Sequence, residues 1–266
     1  MESEHRVKAQ QMRIAAWNVN GIRSCSQKGL ADWIEREKFS AILLQEVRAE
    51  TSQIPEEIQD LRGYYQYWNP AASKKGYSGT GILTQEEALQ VRAGMGVEEF
   101  DVEGRVLSVE LSKLWLVSAY FPNSQDGGKR IDYKLAFCHA MQTWLKSLRD
   151  TGKPVVLAGD FNIAHHEIDL ARPNDNRDSP GFLPAEREWM SLFEKSGWRD
   201  TFRSKYPDKV LYSWWSARTR ARERNVGWRI DYHTVHKDDL HLVKDAGIQC
   251  DVLGSDHCPV TLELAI

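Results

Sequence analysis

The chain has 266 residues, of which 41% are hydrophobic and 27% are charged. This composition is close to the globular average, so it excludes a disordered chain, a fibrous repeat and a small disulfide-stapled domain. Its 35 basic and 38 acidic residues give a formal net charge of −3, which argues against binding nucleic acid through overall charge alone. No apolar run is long enough to span a membrane, and residues 1–11 lack the apolar core of a signal peptide. We therefore expect the protein in the cytoplasm, in the cytosol or with the nucleoid.

Short runs rich in β-branched and aromatic residues recur along the whole chain and predict strands. In chain order they cover 13–17, 41–44, 81–83, 106–111, 114–121, 155–158, 230–235 and 259–264. Apolar residues spaced at threes and fours predict helices around 30–39, 131–148 and 189–193. The adjoining strands 106–111 and 114–121 favour antiparallel hairpins, so the predicted class is α/β with two packed mixed sheets and helices outside.

No linker-like segment or shift in composition divides the chain. We therefore predict a polar extension at residues 1–11 and a single domain at residues 12–266. Nothing in the sequence indicates oligomerisation, so a monomer is expected.

The cysteines are Cys25, Cys138, Cys250 and Cys258. Their spacing matches neither a CxxC motif nor a cysteine–histidine zinc site. They are therefore predicted to be reduced thiols that mostly fill the core, and they imply no structural metal.

Polar side chains follow several predicted strands at the point where each strand ends. They include Asn18, Glu46, Asp160 and Asn162, and Asp256 stands near the C-terminus. Such oxygen donors, gathered at one rim of a sandwich, suit Mg²⁺ or Mn²⁺ better than zinc. For any one of these segments alone, turn formation is the favoured interpretation. Glu46 is the exception, because a Glu that follows a buried apolar run needs a cation beside it.

Asp231 and His257 could form a carboxylate–imidazole pair in which the carboxylate fixes the ring and stabilises its charge. A charged ring of that kind would stabilise negative charge on a phosphoryl oxygen. From spacing alone, however, a capped loop histidine is the favoured interpretation of His257.

Residues 217–229 contain five arginines and one glutamate, a local charge of 5 − 1 = +4. Trp214, Trp215 and Trp228 bracket this run, an arrangement that suits an aromatic-walled pocket beside a phosphate-binding surface. Without these aromatics, the alternating arginines would be interpreted as a solvated strand face or an exposed loop. Residues 74–79, with Tyr77 at the tip, form a second basic segment and a weak nucleic-acid signal.

Taken in order, these segments resemble the exonuclease III family of AP endonucleases, in a superfamily that also contains DNase I-like nucleases and phosphoinositide phosphatases. The resemblance runs from about residue 12 to residue 266. Its motifs are WNVNGIR (17–23), LQE (44–46), GYSGTG (76–81), AYFPN (119–123), AGDFNIA (158–164), HEIDL (166–170), GFLPAER (181–187), NVGWRIDY (225–232) and LGSDHCPV (253–260). Any one motif would be weak evidence, but the ordered set is strong. The resemblance implies a DNase I-like four-layer sandwich.

The resemblance also implies a divalent metal ion, Mg²⁺ with Mn²⁺ as a substitute. Glu46 would be its principal ligand. Asn20 stands where some family members carry Asp, which removes one negative charge from the metal site. The full set of implied metal ligands is Asn18, Glu46, Asp160, Asn162, Asp256 and His257.

The implied catalytic step is attack of water on a phosphodiester. Asp160 would position and deprotonate the water, with Asn162 assisting and stabilising the transition state. His257, held by Asp231, would contact the scissile phosphate from one side. Tyr120 would contact it from the other side or help the leaving oxygen.

The implied partner is double-stranded DNA with an abasic site or a blocked 3′ end. Trp214, Trp228 and Ile230 would wall a pocket that admits a flipped, base-free sugar and rejects a normal nucleotide by shape. Asn123 would hold the phosphate. The DNA backbone would lie on Tyr77, Arg218, Arg220 and Arg222.

The first hypothesis is therefore a Mg²⁺-dependent DNA-repair nuclease that cleaves 5′ to abasic sites, with 3′-phosphodiesterase, 3′-phosphatase and 3′→5′ exonuclease activities. One alternative is a family member restricted to 3′ ends. A second is a phosphatase of inositol lipids or nucleotides. A third is a non-catalytic DNA-binding module, which the full set of candidate catalytic residues argues against.

Overall fold

The structure, a computed structural model, describes residues 11–266. The predicted polar extension lies outside these residues except for Gln11, which already begins the first strand. The strands are β1 (Gln11–Asn18), β2 (Ala41–Gln45), β3 (Tyr65–Asn69), β4 (Thr80–Thr84), β5 (Gln90–Ala93), β6 (Val106–Glu110), β7 (Trp115–Tyr120), β8 (Val155–Asp160), β9 (Trp198–Asp200), β10 (Asp231–His236), β11 (Val243–Ile248) and β12 (Val260–Ala265). The α-helices are α1 (Ile22–Ser26), α2 (Leu30–Glu37), α3 (Glu56–Gln59), α4 (Glu98–Asp101), α5 (Ile131–Arg149), α6 (Pro184–Lys195) and α7 (Thr201–Lys205). Within residues 11–266, every helix is too short or too polar to cross a membrane.

The two sheets share one pattern of strand pairing, although β12 and β1 lie at opposite ends of the chain and are not joined as β6 and β7 are. Their strand orders are β11-β12-β1-β2-β4-β3 and β5-β6-β7-β8-β10-β9. In each sheet one central pair is parallel, β1 with β2 and β7 with β8, and the other neighbours are antiparallel. A parallel pair needs a crossover connection. Helices α1 and α2 supply it in the first sheet, and α5 supplies it in the second.

Alternating side chains of the central strands serve two different cores, as the period of two requires. In β1, Ile14 and Ala16 pack with side chains of the second sheet such as Leu116. Their neighbour Trp17 packs outward against Trp33 of α2. The outer face of the second sheet packs in the same way against α5 and α6. The layers are therefore helix, sheet, sheet and helix, and the predicted fold class is confirmed.

The predicted strands and helices are present, and the four strands that the sequence did not predict are all at sheet edges. These strands are β3, β5, β9 and β11. An edge strand is covered less completely than a central one, so it keeps a weaker apolar pattern. Strand β5 is mostly exposed, for example, and β9 has only three residues.

A buried ion pair joins α5 to α6. Lys134 Nζ lies 2.7 Å from Glu186 Oε1, and neither side chain is exposed. Lys134 also donates to the carbonyl oxygen of Asn162 at 2.7 Å. Glu186 accepts hydrogen bonds from the hydroxyl of Ser124 and from the N–H of Gly181. The pair therefore fixes three loops that border the strand ends.

We expect Glu186→Gln to lower the free energy of unfolding by about 3–5 kcal/mol, because Lys134 would keep a buried charge without its counter-ion. Urea denaturation checks this. Glu188→Gln, an exposed change on the same helix, is the control and should stay within about 0.5 kcal/mol of the wild type. Equal stability of the two variants would show that the pair does not hold these loops.

Candidate functional site

Strand register brings the predicted polar residues to one rim of the sandwich. Asn18 pairs with Gln45 across β1 and β2, one residue before Glu46. Asp160 pairs with Tyr120 across β7 and β8 and with Asp231 across β8 and β10. A pocket of about 250 Å³ opens at this rim. Its lining includes Glu46, Tyr120, Asn123, Asp160, Asn162, Trp214, Trp228, Ile230, Asp256 and His257.

The backbone at these strand ends is unusual. Gly159 has a φ of 144°, and a Cβ atom there would lie 2.0 Å from the carbonyl oxygen of Ala119, so the position requires glycine. Glu46 and Asn162 have positive φ angles of 49° and 52°. Such angles are uncommon outside glycine and cost roughly 1–3 kcal/mol each, so the surrounding structure must enforce them. At Asn162 the N–H donates to Asp160 Oδ1 at 2.8 Å, which locks the turn.

Two carboxylates and one imidazole form the centre of the site. Glu46, Asp160 and His257 are buried, and one ligand atom of each lies within 4.8 Å of the other two. The amide nitrogen of Asn18 donates to both carboxylates, at 2.8 Å to Glu46 Oε1 and 2.9 Å to Asp160 Oδ2. These contacts hold the two acids side by side.

The charge in this centre fits a divalent cation. Burial, together with the negative charges of Asp231 and Glu46, raises the pKa of Asp160 to about 7, although His257 opposes the shift. A cation between the two carboxylates would relieve the same repulsion. The oxygen atoms of the two carboxylates are ligands that Mg²⁺ and Mn²⁺ accept, whereas an imidazolium ring has no free nitrogen for a metal.

His257 is held as a cation. Its Nδ1 lies 2.9 Å from Asp231 Oδ2, and the hydroxyl of Ser213 donates to the same oxygen at 2.6 Å. Burial alone would lower the pKa of His257, but the charges of Asp231 and Asp160 raise it to about 10. The predicted carboxylate–imidazole pair is thus present in the geometry. Sequence reasoning missed Ser213, since a serine before two tryptophans carries no signal of this kind.

Asn18 and Asn162 were expected to bind the metal, but their amide groups are committed to the protein. Oδ1 of Asn18 accepts the N–H of Asn20 at 3.0 Å, while its NH₂ faces the carboxylates. The NH₂ of Asn162 donates to the carbonyl oxygen of Phe121 at 3.0 Å, and its Oδ1 accepts from Asn123. Both amides therefore orient the neighbouring groups, and the assignment of Asn18 and Asn162 as metal ligands stays a prediction.

Asp256 lines the same pocket, and both oxygens of its carboxylate accept hydrogen bonds from neighbouring side chains. Its Oδ1 accepts from Asn20 Nδ2 at 2.8 Å and its Oδ2 accepts from Trp214 Nε1 at 3.1 Å. Burial would raise the pKa of Asp256, but His257 and these two donors lower it. Asp256 therefore links the acidic centre to the aromatic wall.

Tyr120 is supported by a buried arginine that sequence reasoning missed. The guanidinium of Arg105 lies 4.7 Å from the ring centroid of Tyr120 and donates to its carbonyl oxygen at 3.2 Å. Burial and the charge of Glu46 nevertheless raise the pKa of the Tyr120 hydroxyl well above its usual value, so it stays protonated. Arg105 also donates to the hydroxyl of Tyr77 at 2.7 Å, which ties the predicted DNA-contacting tyrosine to the site. The sequence signal that could have identified Arg105 is its position as a charged residue directly before the mostly apolar strand β6.

Arg48 is a second residue to which the sequence gave no role. Its Nη2 forms an ion pair with Glu46 Oε2, and its side chain lines the same pocket. Its backbone has a positive φ of 51°, like that of Glu46. Arg48 also borders a neighbouring groove with Arg23 and Gly76, which extends the positive surface away from the acidic centre.

Two tryptophans wall the other half of the pocket. The rings of Trp214 and Trp228 are 6.3 Å apart and nearly perpendicular, and the two backbones exchange hydrogen bonds of 2.9 Å. Both stay partly exposed, and they pack on a small buried cluster that contains Ile230. Trp215, by contrast, is buried with its ring under Arg222.

Arg222 was expected to hold the DNA backbone, but its guanidinium is engaged with the protein. It donates to the carbonyl oxygens of Cys250, Val252 and Ser255 at 2.7, 2.6 and 3.1 Å. This clamp fixes the loop that leads into Asp256 and His257. Arg218 and Arg220 lie nearby in a short 3₁₀ helix and are exposed, and Asn123 is exposed at the pocket mouth.

A buried ion pair connects two of the sequence motifs beneath the aromatic wall. Asp169 Oδ1 lies 2.8 Å from Arg229 Nε and 2.6 Å from Arg203 Nη2. Arg229 stands between Trp228 and Ile230, so Asp169 positions both walls of the pocket. Burial would raise the pKa of Asp169, but Arg229 and the hydrogen bonds to it lower it to about 2.

Because the pKa of Asp169 is lower in the folded state than in the unfolded chain, its ion pair stabilises the folded state. This stabilisation is fully present above the unfolded pKa of about 4 and is lost as the pH falls through the folded pKa of about 2. We therefore expect Asp169→Asn to lower the free energy of unfolding by about 2 kcal/mol at neutral pH, with the difference shrinking between pH 4 and pH 2. Urea denaturation across this range measures it, with the exposed Asp178→Asn as control. A difference that did not depend on pH would exclude the ion pair as its source.

Comparison with known proteins identifies the family. The Endonuclease/Exonuclease/phosphatase family matches residues 15–257. The chain is 44% identical to an exodeoxyribonuclease of Bacillus subtilis, over 96% of this chain and all of that protein. It is 40% identical to the DNA repair nuclease APEX1 of Danio rerio, over 97% of this chain and 84% of that protein. The crystal structure of the AP endonuclease LMAP from Leishmania major superposes with a TM-score of 0.87 at 29% identity, covering 97% of this chain and 88% of that one.

The chain therefore belongs to the endonuclease/exonuclease/phosphatase family. The predicted resemblance and the predicted enzyme class, a nuclease of the AP endonuclease and exodeoxyribonuclease type, are confirmed.

Proposed function

We propose that this protein is a Mg²⁺-dependent DNA-repair nuclease that hydrolyses the phosphodiester 5′ to an abasic site, with further activity on blocked 3′ ends and as a 3′→5′ exonuclease. The relatives' names support action on DNA, since one is an exodeoxyribonuclease and another a DNA repair nuclease. We further propose that it acts as a monomer in the cytoplasm, where its DNA substrate would be found.

One observation carries the proposal: a buried acidic centre and an aromatic-walled recess share one pocket of about 250 Å³. The acidic centre has the donors for phosphodiester hydrolysis. Trp214, Trp228 and Ile230 all line this pocket, and the two indole rings pack edge to face. A flat apolar recess suits a sugar that has lost its base, and extrusion of such a nucleotide costs least.

Different residues of the chain have different roles in hydrolysis. Asp160, whose pKa is raised by burial, would accept the proton of the attacking water. The His257 cation donates a hydrogen bond to a phosphoryl oxygen and stabilises the charge that develops there. The protonated hydroxyl of Tyr120 faces the phosphate from the other side. Asn123 lies at the mouth and holds the phosphate group.

The bound metal would supply Lewis-acid stabilisation of the phosphoryl oxygens. Glu46 and Asp160 would hold it, and Asn18 keeps both carboxylates in place. Mg²⁺ is favoured over zinc because the carboxylate oxygens are hard donors and no cysteine is in the group.

The decisive experiment is incision of a short duplex that carries one abasic-site analogue, with Mg²⁺ and with excess chelator. We expect a single Mg²⁺-dependent cut 5′ to the analogue. Glu46→Gln should lower turnover roughly 10²–10³-fold, because it removes a charged group that stabilises the transition state. Glu35→Gln, an exposed change on α2, is the matched control and should leave turnover unchanged.

Other outcomes of that assay point to the alternatives. An uncut abasic duplex with removal of 3′-phosphates would restrict the enzyme to 3′ ends. Faster hydrolysis of inositol phosphates than of DNA would make it a phosphatase. Unchanged turnover in Glu46→Gln would remove that carboxylate from the mechanism.

The two neighbouring arginines should respond differently when each is changed to alanine. Arg220→Ala should weaken DNA binding and reduce the slope of log affinity against log salt by about one unit, since an exposed arginine contacts phosphate only. Arg222→Ala should instead lower turnover and thermal stability with little change in the salt slope, because it releases the loop before His257. Fluorescence anisotropy at several salt concentrations, with single-turnover cleavage, separates the two. Identical effects would contradict the structural role of Arg222.

A further inference from the structure

Cys250 and Cys258 lie opposite each other across an extension of the β11–β12 ladder. The register pairs Ile248 with Val260, and the N–H of Gln249 donates to the carbonyl oxygen of Pro259 at 2.9 Å. Continued by one more residue, this register would place Cys250 opposite Cys258, at the point where the N–H of Val252 donates to the carbonyl oxygen of Gln249 and the chain turns. Side chains directly opposite in such a ladder have Cβ atoms about 4.5–5.5 Å apart, which is close to the separation that a disulfide needs.

The positions of the two sulfurs agree with this register. Sγ of Cys250 lies 3.5 Å from the carbonyl oxygen of Tyr212, and Sγ of Cys258 lies 3.8 Å from the same oxygen. Both thiols donate to this carbonyl oxygen, so the two side chains converge on one acceptor. The two sulfurs therefore face each other beside one carbonyl group. Both cysteines are reduced in the structure.

The two members of the pair differ in access. Cys258 is fully buried, whereas Cys250 is partly exposed and lines a groove of about 680 Å³ with Tyr212, Trp215 and Leu253. A small solute can therefore reach the sulfur of Cys250 but not that of Cys258. The sequence had led us to expect core-filling thiols, and Cys250 is the exception to that expectation.

The surroundings of Cys250 also favour its thiolate. The neighbouring thiol of Cys258 lowers the pKa of Cys250 to about 7, although burial and Asp251 oppose the shift. The guanidinium of Arg222, bound to the carbonyl oxygen of Cys250, also lowers this pKa. An accessible thiolate beside a second thiol is the arrangement of peroxide-reactive cysteines.

We propose that Cys250 is a site of oxidation by hydroperoxides and that Cys258 is its resolving partner, so that the two form a reversible disulfide. The thiolate of Cys250 attacks one oxygen of the peroxide; the S–O bond forms, the O–O bond breaks, and the hydroxide that leaves takes a proton from solvent. The sulfur of Cys258 then attacks the sulfenic sulfur. The S–S bond forms, the S–O bond breaks, and the oxygen leaves as water with the proton of the Cys258 thiol. The net change is oxidation of two thiols to one disulfide and reduction of one peroxide to two waters.

The same chain contains two internal controls. Cys25 and Cys138 are fully buried, as is Cys258, and burial raises the pKa of all three thiols, so none of them is expected to react with peroxide directly. Cys25 and Cys138 should remain reduced under conditions that oxidise Cys250. Each lies in a different tryptic peptide from Cys250 and Cys258, which share the C-terminal peptide of residues 245–266.

The test treats the folded full-length protein with an equimolar amount of hydrogen peroxide, blocks remaining thiols with N-ethylmaleimide during unfolding, and analyses tryptic peptides by mass. We expect the C-terminal peptide to lose two hydrogens and to take up no N-ethylmaleimide, while the peptides of Cys25 and Cys138 take up one each. Dithiothreitol before blocking should restore two additions to the C-terminal peptide. A C-terminal peptide that still takes up two additions after peroxide overturns the proposal.

Two variants separate the roles of the pair. In Cys258→Ser, Cys250 should persist as a sulfenic acid that dimedone captures, whereas the wild type should give no dimedone adduct. In Cys250→Ser, Cys258 should remain fully alkylatable after peroxide. Oxidation of Cys258 in the absence of Cys250 would overturn the assignment of roles. The wild-type measurement stands even if a variant does not fold, and none of these results depends on the proposed nuclease activity.

Discussion

The negative charge collected at one rim of the sandwich is the constraint on which the rest of the site depends. Three carboxylates, those of Glu46, Asp160 and Asp231, are buried close together at this rim. Uncompensated, such a cluster would be strongly unfavourable, because like charges in a poorly solvated site raise one another's pKa. The protein offsets the repulsion with the cation of His257, with the amide of Asn18 and with a place for a divalent metal. The clustering of these carboxylates raises the free energy of the folded state, and it also makes the same carboxylates chemically reactive.

The strand-pairing pattern that both sheets share explains why the acidic side chains meet at one rim. In each sheet a parallel pair lies at the centre, and the polar residues follow the C-terminal ends of those strands. Stacking two such sheets brings both sets of strand ends to one rim, and β10 adds Asp231 from the same side. Gly159 is part of this geometry, since its close approach to the backbone of β7 lets the turn after β8 present Asp160 to the pocket. The sheet topology therefore places the residues of the site, and the loops set their orientation.

Central strands and motif residues could be predicted from the sequence, whereas edge strands and supporting contacts could not. Strands such as β7 and β8 are buried on both faces and therefore carry long apolar runs. Strand β11 lies at an edge and alternates irregularly, so its pattern is lost among polar neighbours. At the site, the residue types indicated the chemistry but not the orientation of each side chain. The NH₂ group of Asn18 faces the carboxylates because its Oδ1 accepts the backbone N–H of Asn20, and no sequence pattern encodes that hydrogen bond. Arg222 was misassigned for a similar reason, since a basic residue in a basic run looks solvent-facing until its carbonyl partners are known.

The loop from Cys250 to Cys258 shows how closely the fold couples distant features. It begins in the extension of β11, is clamped by Arg222 and ends at His257 and Cys258. Ser255 within it donates to the carbonyl oxygen of Asn18 at 2.8 Å, so the loop is fixed to the first strand as well as to the aromatic wall. Any chemistry at the cysteine pair would therefore act on a segment that already has several independent attachments. Because those attachments do not involve the sulfurs, the proposed bond between the two cysteines would form without releasing the segment that carries His257.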